Sequence, residues 1–275
     1  MVERSLAATS PDFDLTIGVV IFKPEQAVLA ATLTSLREAV ETIAPLRAKL
    51  YVIDNSPEPA DHSWVRNLLP DLPLEIIAGH GNVGFGAANN MVLDKAGKFH
   101  LVLNPDVEME PDALKQALTF MTGAPETGLI TPKAFNPDGS TQYLCKRYPA
   151  VFDLLLRGFA PAGIKAMFRR RLERYEMRDE IANTPFWDPP IVSGCFMFFR
   201  GDVYRQLGGF DPRYLLYFED FDISLRVRKI ARIAYVPAVR IVHEGGRAAS
   251  KGLWHIRQFL RSALIFYRTY PLKLF

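Results

Sequence analysis

The chain has 275 residues, of which 49% are hydrophobic and 23% charged, and its 33 basic and 30 acidic side chains leave a formal net charge of only +3. Disordered proteins combine low hydrophobicity with high net charge, so this composition excludes disorder and predicts one large or two small globular domains. The longest apolar stretches, such as residues 191–199, are far shorter than the roughly 20 residues that cross a bilayer. An N-terminus without an apolar signal-peptide core, and two cysteines without disulfide or metal spacing, predict a cytoplasmic protein.

The first half of the chain alternates short apolar runs with helical patterns, which is typical of β-α units and a mostly parallel sheet. Four apolar runs predict strands, the first of which is expected to be buried: residues 15–22, 49–53, 74–78 and 99–103. Apolar residues from Leu29 to Val40 recur at helical spacing and predict a first helix. A turn rich in Gly and Asn, residues 79–90, leads into a second helix through Leu93, and a third helix starts near Pro111.

The regular alternation is lost from about Pro132, and the second half is organised differently. It contains the apolar run 191–199, a turn at Gly208 and Gly209, an acidic helix start near Glu219 and a strand-like run over residues 233–242. The chain has no internal repeat and no low-complexity linker, so we predict one compact domain with a C-terminal appendage.

Positive charge is concentrated in two segments that are also rich in apolar and aromatic residues. Residues 146–174 contain eight basic and two acidic side chains, and residues 247–275 contain six basic side chains and no acid. Nucleic acid and an anionic membrane surface both suit such segments, and the interleaved apolar residues favour the membrane. In the tail, two adjacent helical stripes carry these residues: Ile256, Leu260, Ala263 and Tyr267 on one, and Arg257, Arg261 and Arg268 on the other. The alternative is a solvated helix face whose other side packs in the core.

Ligands of open α/β sheets bind beyond the carboxyl ends of the strands, so the residues that follow each predicted strand are candidate site residues. Asp54 follows the second strand, the turn over residues 79–90 follows the third, and Asn104-Pro105-Asp106 follows the fourth. A carboxylate there can accept a hydrogen bond from a nucleobase or a ribose, and glycines permit close backbone approach. Asp54 can equally be a helix cap or turn residue.

The second half contains three carboxylates within four residues: Glu219, Asp220 and Asp222. Such carboxylates repel one another unless a cation, a proton or an arginine compensates, so one of them is a candidate general base. Asp222 and Arg226 have the spacing of an i,i+4 ion pair, which indicates a structural role. His243 directly follows a strand-like run, where a lone histidine is more often structural than functional.

Six motifs occur in a fixed order: IDNS, GNVGFGAANN, LNPDV, VSGCFMFFR, GGFDPRYLLYFEDFDISLR and VHEGG. This succession resembles the inverting glycosyltransferases of family 2, and more narrowly their bacterial rhamnosyltransferase-like branch. The resemblance extends from about Leu15 to Lys251 and implies a GT-A fold of the α/β class, with a Rossmann-like, mostly parallel central sheet flanked by helices and a C-terminal amphipathic helical appendage. It implies an N-terminal extension over 1–13, a glycosyltransferase domain over 14–246 and a basic amphipathic segment over 247–275. Within the domain, the nucleotide-sugar half covers about 14–131 and the acceptor half about 132–246.

The resemblance also implies roles for individual residues. Asp220 would be the catalytic base and Glu219 its neighbour on the acceptor side. Asp106 at the DxD position would hold a divalent cation, Mg²⁺ or Mn²⁺, on the donor diphosphate, and His243 would be a further ligand of the metal or of the diphosphate. The nucleotide-sugar site would comprise Ile21, Phe22, Lys23, Asp54, Asn55, Gly84, Asn89, Asn90, Asn104, Asp106, Arg247 and Lys251, with the last two closing over the diphosphate. The acceptor site would comprise Ser193, Gly194, Cys195 and Tyr217.

Several departures from the family pattern shape the expected reaction. Asn104 replaces the first Asp of DxD, and Lys23 replaces the usual Asn after the first strand. The Gln-x-x-Arg-Trp motif of processive members is absent from the sequence, which favours addition of a single sugar. A cation would neutralise the diphosphate leaving group while a carboxylate takes the proton of the acceptor hydroxyl.

The resemblance therefore implies a non-processive enzyme that transfers L-rhamnose from dTDP-L-rhamnose onto a polyprenyl-diphosphate-linked saccharide. The product would serve cell-surface polysaccharide (O-antigen-like) synthesis, and the enzyme would lie peripherally on the cytoplasmic face of the inner membrane without a nucleic-acid partner. A UDP-sugar donor is the first alternative. A sugar nucleotidyltransferase would need a Gly-rich loop where the chain has Phe22-Lys23-Pro24-Glu25, and a non-catalytic sugar- or lipid-binding module is the other rival.

Overall fold

The computed structural model describes residues 12–59, 61–245 and 252–275, which form a mixed sheet with helices on both faces. The strands are β1 (Leu15–Ile21), β2 (Ala48–Asp54), β3 (Leu74–Ile77), β4 (Phe99–Leu103), β5 (Val107–Met109), β6 (Thr127–Phe135), β7 (Thr141–Gln142), β8 (Cys145–Lys146), β9 (Phe186–Trp187), β10 (Ile191–Val192), β11 (Phe196–Arg200) and β12 (Arg232–His243). The helices are α1 (Gln26–Glu41), α2 (Ser63–Leu68), α3 (Phe85–Asn90), α4 (Ala113–Gly123), α5 (Val151–Phe159), α6 (Ala162–Met167), α7 (Arg169–Tyr175), α8 (Gly201–Gln206), α9 (Glu219–Val227) and α10 (Gly252–Thr269). A 3₁₀ turn covers Leu93–Lys95.

The main path of the sheet runs in the order β3-β2-β1-β4-β11-β6-β12-β5. β1 pairs in parallel with β2 and β4, and β2 pairs in parallel with β3, so four strands end at the same edge. Every residue of β1 and β4 is buried, as the continuous apolar runs predict for strands covered on both faces. The predicted strands and the first helix of this half are confirmed. The second helix is shorter than predicted: α3 begins at Phe85 inside the Gly/Asn turn and ends at Asn90.

The second half of the chain completes the same sheet. β11 pairs antiparallel with both β4 and β6, and β12 pairs in parallel with β6. The sequence does not predict β6, because its two threonines, Pro132 and Lys133 interrupt the apolar pattern that marks a buried strand. The predicted division at residues 131 and 132 falls inside β6, so both halves of the domain share one sheet.

The apolar run 191–199 is divided into two strands that belong to different sheets. β10 pairs with β8 in a two-stranded sheet, whereas β11 joins the main sheet. Ser193-Gly194-Cys195 lies between these strands and carries the chain from one to the other. The break places a glycine-containing turn between the start of α9 and the end of β4.

The C-terminal helix α10 packs on the domain through Gln258, Ser262 and Phe266, which are buried. The predicted apolar stripe is split by this packing. Ile256 and Leu260 point to solvent, with 37% and 57% exposure, while Ala263 and Tyr267 pack in the cluster around Phe266. None of the helices in the described ranges combines the length and hydrophobicity that a bilayer crossing requires.

Candidate active site

Three segments meet at the carboxyl end of β4. The backbone N–H of Asn104 donates to the Cys195 carbonyl at 2.8 Å, and the N–H of Glu244 donates to the Asp106 carbonyl at 3.1 Å. The Nε2 atom of His243, the last residue of β12, lies 3.4 Å from Oδ1 of Asp106. The sheet therefore brings the Asn104–Asp106 turn, the 193–195 turn and His243 together, as the site predictions require.

His243 is held in place from its other ring nitrogen. Its Nδ1 atom lies 2.6 Å from Oε1 of Gln142, a residue that the sequence analysis did not single out. Burial lowers the pKa of His243, but the neighbouring Cys195 and Asp106 raise it by more, and the net pKa is well above the ordinary value. A cation bound here would replace that ring proton, since a metal ligand must be a neutral imidazole.

Asp106 and His243 suit a hard divalent cation that is completed by substrate oxygens. No three His, Cys, Asp or Glu side chains come together as a metal-binding group anywhere in the described ranges. Mg²⁺ is usually bound through one or two carboxylates and the phosphates of the substrate, so two protein ligands fit such an ion. Asn104 is half-buried at the start of the same turn and contributes no charge.

Asp54, the last residue of β2, is fully buried. The N–H of Ser56 donates to its Oδ1 at 2.8 Å, and Nε2 of His62 lies 2.8 Å from its Oδ2. Burial raises the pKa of Asp54, but the hydrogen bonds from Ser56 and His62 lower it by more, so the net pKa lies below the usual range. Each carboxylate oxygen can accept a second hydrogen bond, but the side chain is fully buried, so a base can reach Asp54 only if the residues that cover it move.

Asn55 joins the ends of β1 and β2 to the Gly/Asn turn. Its N–H donates to the Ile21 carbonyl at 2.8 Å, its Nδ2 donates to the Gly84 carbonyl at 3.1 Å, and its Oδ1 lies 2.9 Å from Nε2 of His80. Gly84 has a φ of 94°, and a Cβ there would lie 2.6 Å from the carbonyl oxygen of Leu215. The turn therefore needs glycine, which fixes it against the segment that precedes Glu219.

The two asparagines that end α3 differ in their surroundings. Asn90 donates from Nδ2 to the Phe210 carbonyl at 2.7 Å and accepts the Phe210 N–H on Oδ1 at 2.8 Å. This pair of bonds accounts for Asn90 without a ligand. Asn89 is fully buried and donates to the Phe85 carbonyl at 3.0 Å, and its Oδ1 has no hydrogen-bond partner in the described part of the chain.

Among the described residues of the predicted nucleotide-sugar set, those after β1 are the most exposed. Phe22 is 49% exposed, and the ammonium of Lys23 lies 5.8 Å from the centre of its ring. The N–H of Lys23 donates to Oγ of Ser56 at 2.8 Å. Ile21 is buried at the end of β1. Arg247 and Lys251 lie outside the described residues.

The predicted base, Asp220, is fixed by two backbone amides. The N–H of Gly194 donates to its Oδ2 at 3.1 Å, and the N–H of Phe221 donates to its Oδ1 at 2.9 Å. A Cβ at Gly194 would lie 3.3 Å from the Cβ of Asp220, so the turn and the helix are in close contact. The 193–195 turn thus links the carboxylate of Asp220 to the backbone of Asn104.

Burial raises the pKa of both carboxyls at the start of α9. The pKa of Glu219 is raised further by the charge of Asp220, and its Oε2 has no hydrogen-bond partner in the residues that the structure describes. The amides of Gly194 and Phe221 oppose the rise for Asp220 without cancelling it. A raised pKa brings a carboxylate closer to the range in which a general base is most effective.

The third carboxylate, Asp222, is structural, as its spacing predicts. Its Oδ2 lies 2.7 Å from Nε of Arg226, and its Oδ1 accepts a hydrogen bond from the hydroxyl of Tyr270 at 2.7 Å. Arg226 also donates to the carbonyls of Leu207 and Gly209. Asp222 therefore ties α9 to the residue that directly follows α10 and, through Arg226, to the Gly208-Gly209 turn.

A strained turn precedes the catalytic candidates. Tyr217 and Phe218 have φ values of 69° and 67°, in the left-handed region that non-glycine residues seldom adopt. The hydroxyl of Tyr217 lies 2.8 Å from Nδ1 of His255, and the Leu216 carbonyl accepts a hydrogen bond from Ser262 at 2.8 Å. Both partners belong to α10, so this helix holds the turn from which Glu219 and Asp220 project.

The chain matches the family model described as "Glycosyl transferase family 2" over residues 18–208. The chain belongs to this family. The match covers the strands and turns that carry Asp54, Gly84, Asp106 and Gly194, and the predicted family is therefore confirmed.

Three curated relatives of this family 2 chain have related names. The "N-acetylglucosaminyl-diphospho-decaprenol L-rhamnosyltransferase" of Mycobacterium tuberculosis is 26% identical over 67% of this chain and 64% of its own length. The "Rhamnosyltransferase WbbL" of Escherichia coli is 25% identical over 68% of this chain and 72% of that protein. The "O-antigen biosynthesis protein RfbC" of Myxococcus xanthus is 24% identical over 82% of this chain and 17% of that protein. The alignment thus spans less than two thirds of the mycobacterial relative.

Solved structures of low identity share the fold. GalNAc-T7 with UDP, GalNAc and Mn²⁺ has a TM-score of 0.62 at 16% identity and covers 84% of this chain and 43% of that chain. Residues 1–349 of S. aureus TarS with UDP have a TM-score of 0.57 at 15% identity and cover 95% of this chain and 68% of that chain. The predicted GT-A fold, including its C-terminal helix, is confirmed.

Proposed function

We propose that this chain is a non-processive, inverting glycosyltransferase that moves L-rhamnose from dTDP-L-rhamnose onto a polyprenyl-diphosphate-linked saccharide in cell-surface polysaccharide synthesis. The observation that carries the proposal is the 3.1 Å hydrogen bond from the Gly194 N–H to Asp220. The carbonyl of the next residue, Cys195, accepts a hydrogen bond from the N–H of Asn104. The 193–195 turn therefore sets the distance between the proposed base and the Asn104–Asp106 turn. Two relatives named rhamnosyltransferases support the donor, and the name of a third supports the polysaccharide.

Asp220 accepts the proton of the acceptor hydroxyl as that oxygen attacks the anomeric carbon. The two backbone amides keep its carboxylate in one orientation, so the oxygen that faces the substrate does not depend on a rotating side chain. Glu219, buried with a raised pKa, adds little repulsion when it is protonated. Gly194 contacts Asp220, and Ser193, Gly194, Cys195 and Tyr217, which belong to the 193–195 turn and to the turn before Glu219, are proposed to border the acceptor.

Asp106 and His243 are proposed to hold the divalent cation, with Asn104 beside them. When bound, the cation supplies charge neutralisation to the diphosphate leaving group. Asp54 and Asn55 at the end of β2 lie on the same edge of the sheet, where parallel strands present their carboxyl ends, and are proposed to face the nucleoside. The same edge therefore carries the residues proposed for the leaving group and those proposed for the nucleoside.

A donor screen tests the proposed function. Purified enzyme is incubated with a short isoprenyl-diphosphate-linked saccharide and one of three sugar donors, and release of dTDP, UDP or GDP is followed with and without Mn²⁺. We expect dTDP release from dTDP-L-rhamnose, dependent on Mn²⁺ or Mg²⁺. Faster release of UDP from a UDP-sugar would show that the donor is a UDP-sugar and not dTDP-L-rhamnose. Synthesis of a nucleotide sugar without transfer would show that the enzyme is a nucleotidyltransferase.

Exposed apolar side chains support a membrane-surface location. In the described residues, sixteen large hydrophobic side chains are exposed. Four lie on or near α5 and α6 and eight on α10 and the residues after it: Leu155, Phe159, Ile164, Met167, Leu253, Trp254, Ile256, Leu260, Leu264, Leu272, Leu274 and Phe275. The two groups adjoin, because Phe159 contacts the ring of Phe259 on α10 and Phe275 contacts the ring of Phe152 on α5. The twelve exposed residues are here called the apolar surface. The basic side chains of both segments flank it, which suits an anionic bilayer.

Removing two leucines from the apolar surface is expected to weaken membrane binding. Leu260→Ser with Leu264→Ser removes two exposed side chains of α10, each worth about 1.5–3 kcal/mol if fully inserted, so binding to phosphatidylglycerol vesicles should fall at least tenfold. Leu46→Ser with Ile230→Ser, two exposed apolar residues outside the surface, serves as the matched control. Equal co-sedimentation of the two double variants would refute a membrane role for the apolar surface.

A further inference from the structure

Glu176, which directly follows α7, is surrounded by three cations. Nε and Nη2 of Arg178 donate to its Oε2 at 2.9 and 2.6 Å. The ammonium of Lys146 and Nε of Arg157 each lie 3.8 Å from its Oε1. Burial and the charge of Arg157 lower the pKa of Lys146 to about 7. One carboxylate thus faces more positive charge than it neutralises, and an additional anion would be attracted here.

Arg157 is the member of this cluster that is placed to meet an anion from solvent. Arg178 binds Glu176 with two nitrogens, and its guanidinium lies 4.9 Å from the centre of the Tyr143 ring. Lys146 is buried and donates to the Tyr143 carbonyl. The side chain of Arg157 is 52% exposed and makes a long contact with Glu176, so its guanidinium can rotate onto a ligand without losing a short hydrogen bond described in the structure.

The helix that carries Arg157 lies beside the catalytic carboxylates. Leu154 of α5 packs in one cluster with Phe218, the residue that precedes Glu219. The ring of Phe159 lies 6.3 Å from that of Phe259, which in turn lies 5.2 Å from that of Phe218. Burial raises the pKa of Asp220, and the positive charge of Arg157 is among the effects that oppose the rise. Arg157 therefore acts on the base from a neighbouring helix.

The residues around Arg157 also connect it to the apolar surface. Leu155 and Phe159, two positions before and after it, are 49% and 48% exposed and belong to that surface. Residues two positions apart lie on nearly opposite sides of a helix, so the exposed apolar side chains lie on one side of α5 and Arg157, whose charge acts on Asp220, lies on the other. Across α5 the order is therefore apolar side chains, a guanidinium and a carboxylate. A lipid-linked saccharide has the corresponding order of an apolar chain, a diphosphate and a sugar hydroxyl.

We propose that Arg157 binds the diphosphate of the lipid-linked acceptor and so positions the acceptor sugar at Asp220. This inference rests on the proposed function for the identity of the acceptor. Arginine suits the task because its planar guanidinium can bind two phosphate oxygens at once. The cation at Asp106 and His243 would serve the donor diphosphate, so two diphosphates would be recognised by different means.

Binding of farnesyl diphosphate and farnesyl monophosphate to the full chain tests the proposal without any sugar donor. Calorimetric titrations compare the wild type with Arg157→Gln, Arg157→Lys and Arg170→Gln, the last removing an exposed arginine of α7 in the same basic segment. We expect the wild type and Arg170→Gln to prefer the diphosphate, and Arg157→Gln to bind it about tenfold or more weakly, since a charge-assisted hydrogen bond is lost. Arg157→Lys should retain part of the preference. An unchanged preference in Arg157→Gln would overturn the proposal.

Two further titrations exclude other phosphates. Arg157→Gln should bind phosphatidylglycerol vesicles and dTDP as well as Arg170→Gln does. A loss confined to vesicle binding would assign Arg157 to phospholipid headgroups, and a loss of dTDP affinity would assign it to the donor; either result would overturn the acceptor assignment. Because these assays use no transfer reaction, a failure of the donor screen and a failure of this inference are distinguishable.

Discussion

Asp220→Asn is expected to lower the rate of sugar transfer by about 10²–10⁴-fold while donor binding persists. The amide has nearly the same shape as the carboxylate but does not accept a proton at neutral pH. Its oxygen can keep one of the two backbone hydrogen bonds, from Gly194 or Phe221, so the turn and the helix should remain together. The measurements are kcat with saturating donor and the Kd of dTDP by titration.

The pH profile makes this prediction more specific. Asp220 must be ionised to act as a base, and its pKa is raised by burial, so kcat/KM should increase with pH through a value above that of an ordinary aspartate. Asp222→Asn is the control, because it removes a structural carboxylate two residues away: the variant should lose stability but keep the pH profile. Full activity in Asp220→Asn would exclude Asp220 as the base. A pH profile of Asp220→Asn that matches that of the wild type would also exclude it.

The sequence predicts the parts of this fold in which neighbouring residues determine the outcome. β1, β2 and β4 are mostly apolar runs, and the Asp222–Arg226 pair has a spacing of four on one helix. β6 is missed because its polar residues and proline are tolerated by the pairing with β11 and β12, which no local pattern reports. Pairing with strands that are distant in sequence therefore determines that residues 127–135 form a strand.

Distant partners explain what else the sequence does not predict about the site. Gln142 orients His243 across 101 positions of the chain, and His62 and His80 bind Asp54 and Asn55 from loops without a motif. Motif positions predict which residues meet at the sheet edge, because parallel strands end together. They do not predict the residues that orient them, since those arise from chain segments brought close only in the folded state.

The role of α10 also changes when its packing is considered. As a sequence it is a basic amphipathic appendage suited to a membrane surface. In the structure α10 holds the turn before Glu219 through Ser262 and His255, and the residue that follows the helix, Tyr270, contacts α9. Deleting the helix would therefore remove the support of the turn before Glu219 together with part of the apolar surface, and single substitutions on the two sides of the helix separate these roles.

Phe266→Ala is expected to destabilise the protein by about 3–5 kcal/mol and to reduce transfer even to a water-soluble acceptor. The Phe266 ring is fully buried and lies 5.3 Å from the ring of Phe218 and 4.9 Å from that of Tyr270. Two left-handed residues, Tyr217 and Phe218, cost about 1–3 kcal/mol each and persist because surrounding contacts enforce them. The cavity left by Phe266 would let this turn relax and displace Asp220.

Leu264→Ala is the matched control for Phe266→Ala on the same helix. Leu264 is 53% exposed, so its truncation should change stability by no more than about 0.5 kcal/mol and leave transfer to a water-soluble acceptor unchanged. Urea unfolding gives the two stability differences, and initial rates with the soluble acceptor give the two activities. If Phe266→Ala and Leu264→Ala had the same stability and the same activity, the packing of α10 would have no influence on the site. If it lost stability and activity together, the helix would be part of the catalytic framework, with its exposed side alone available to the membrane.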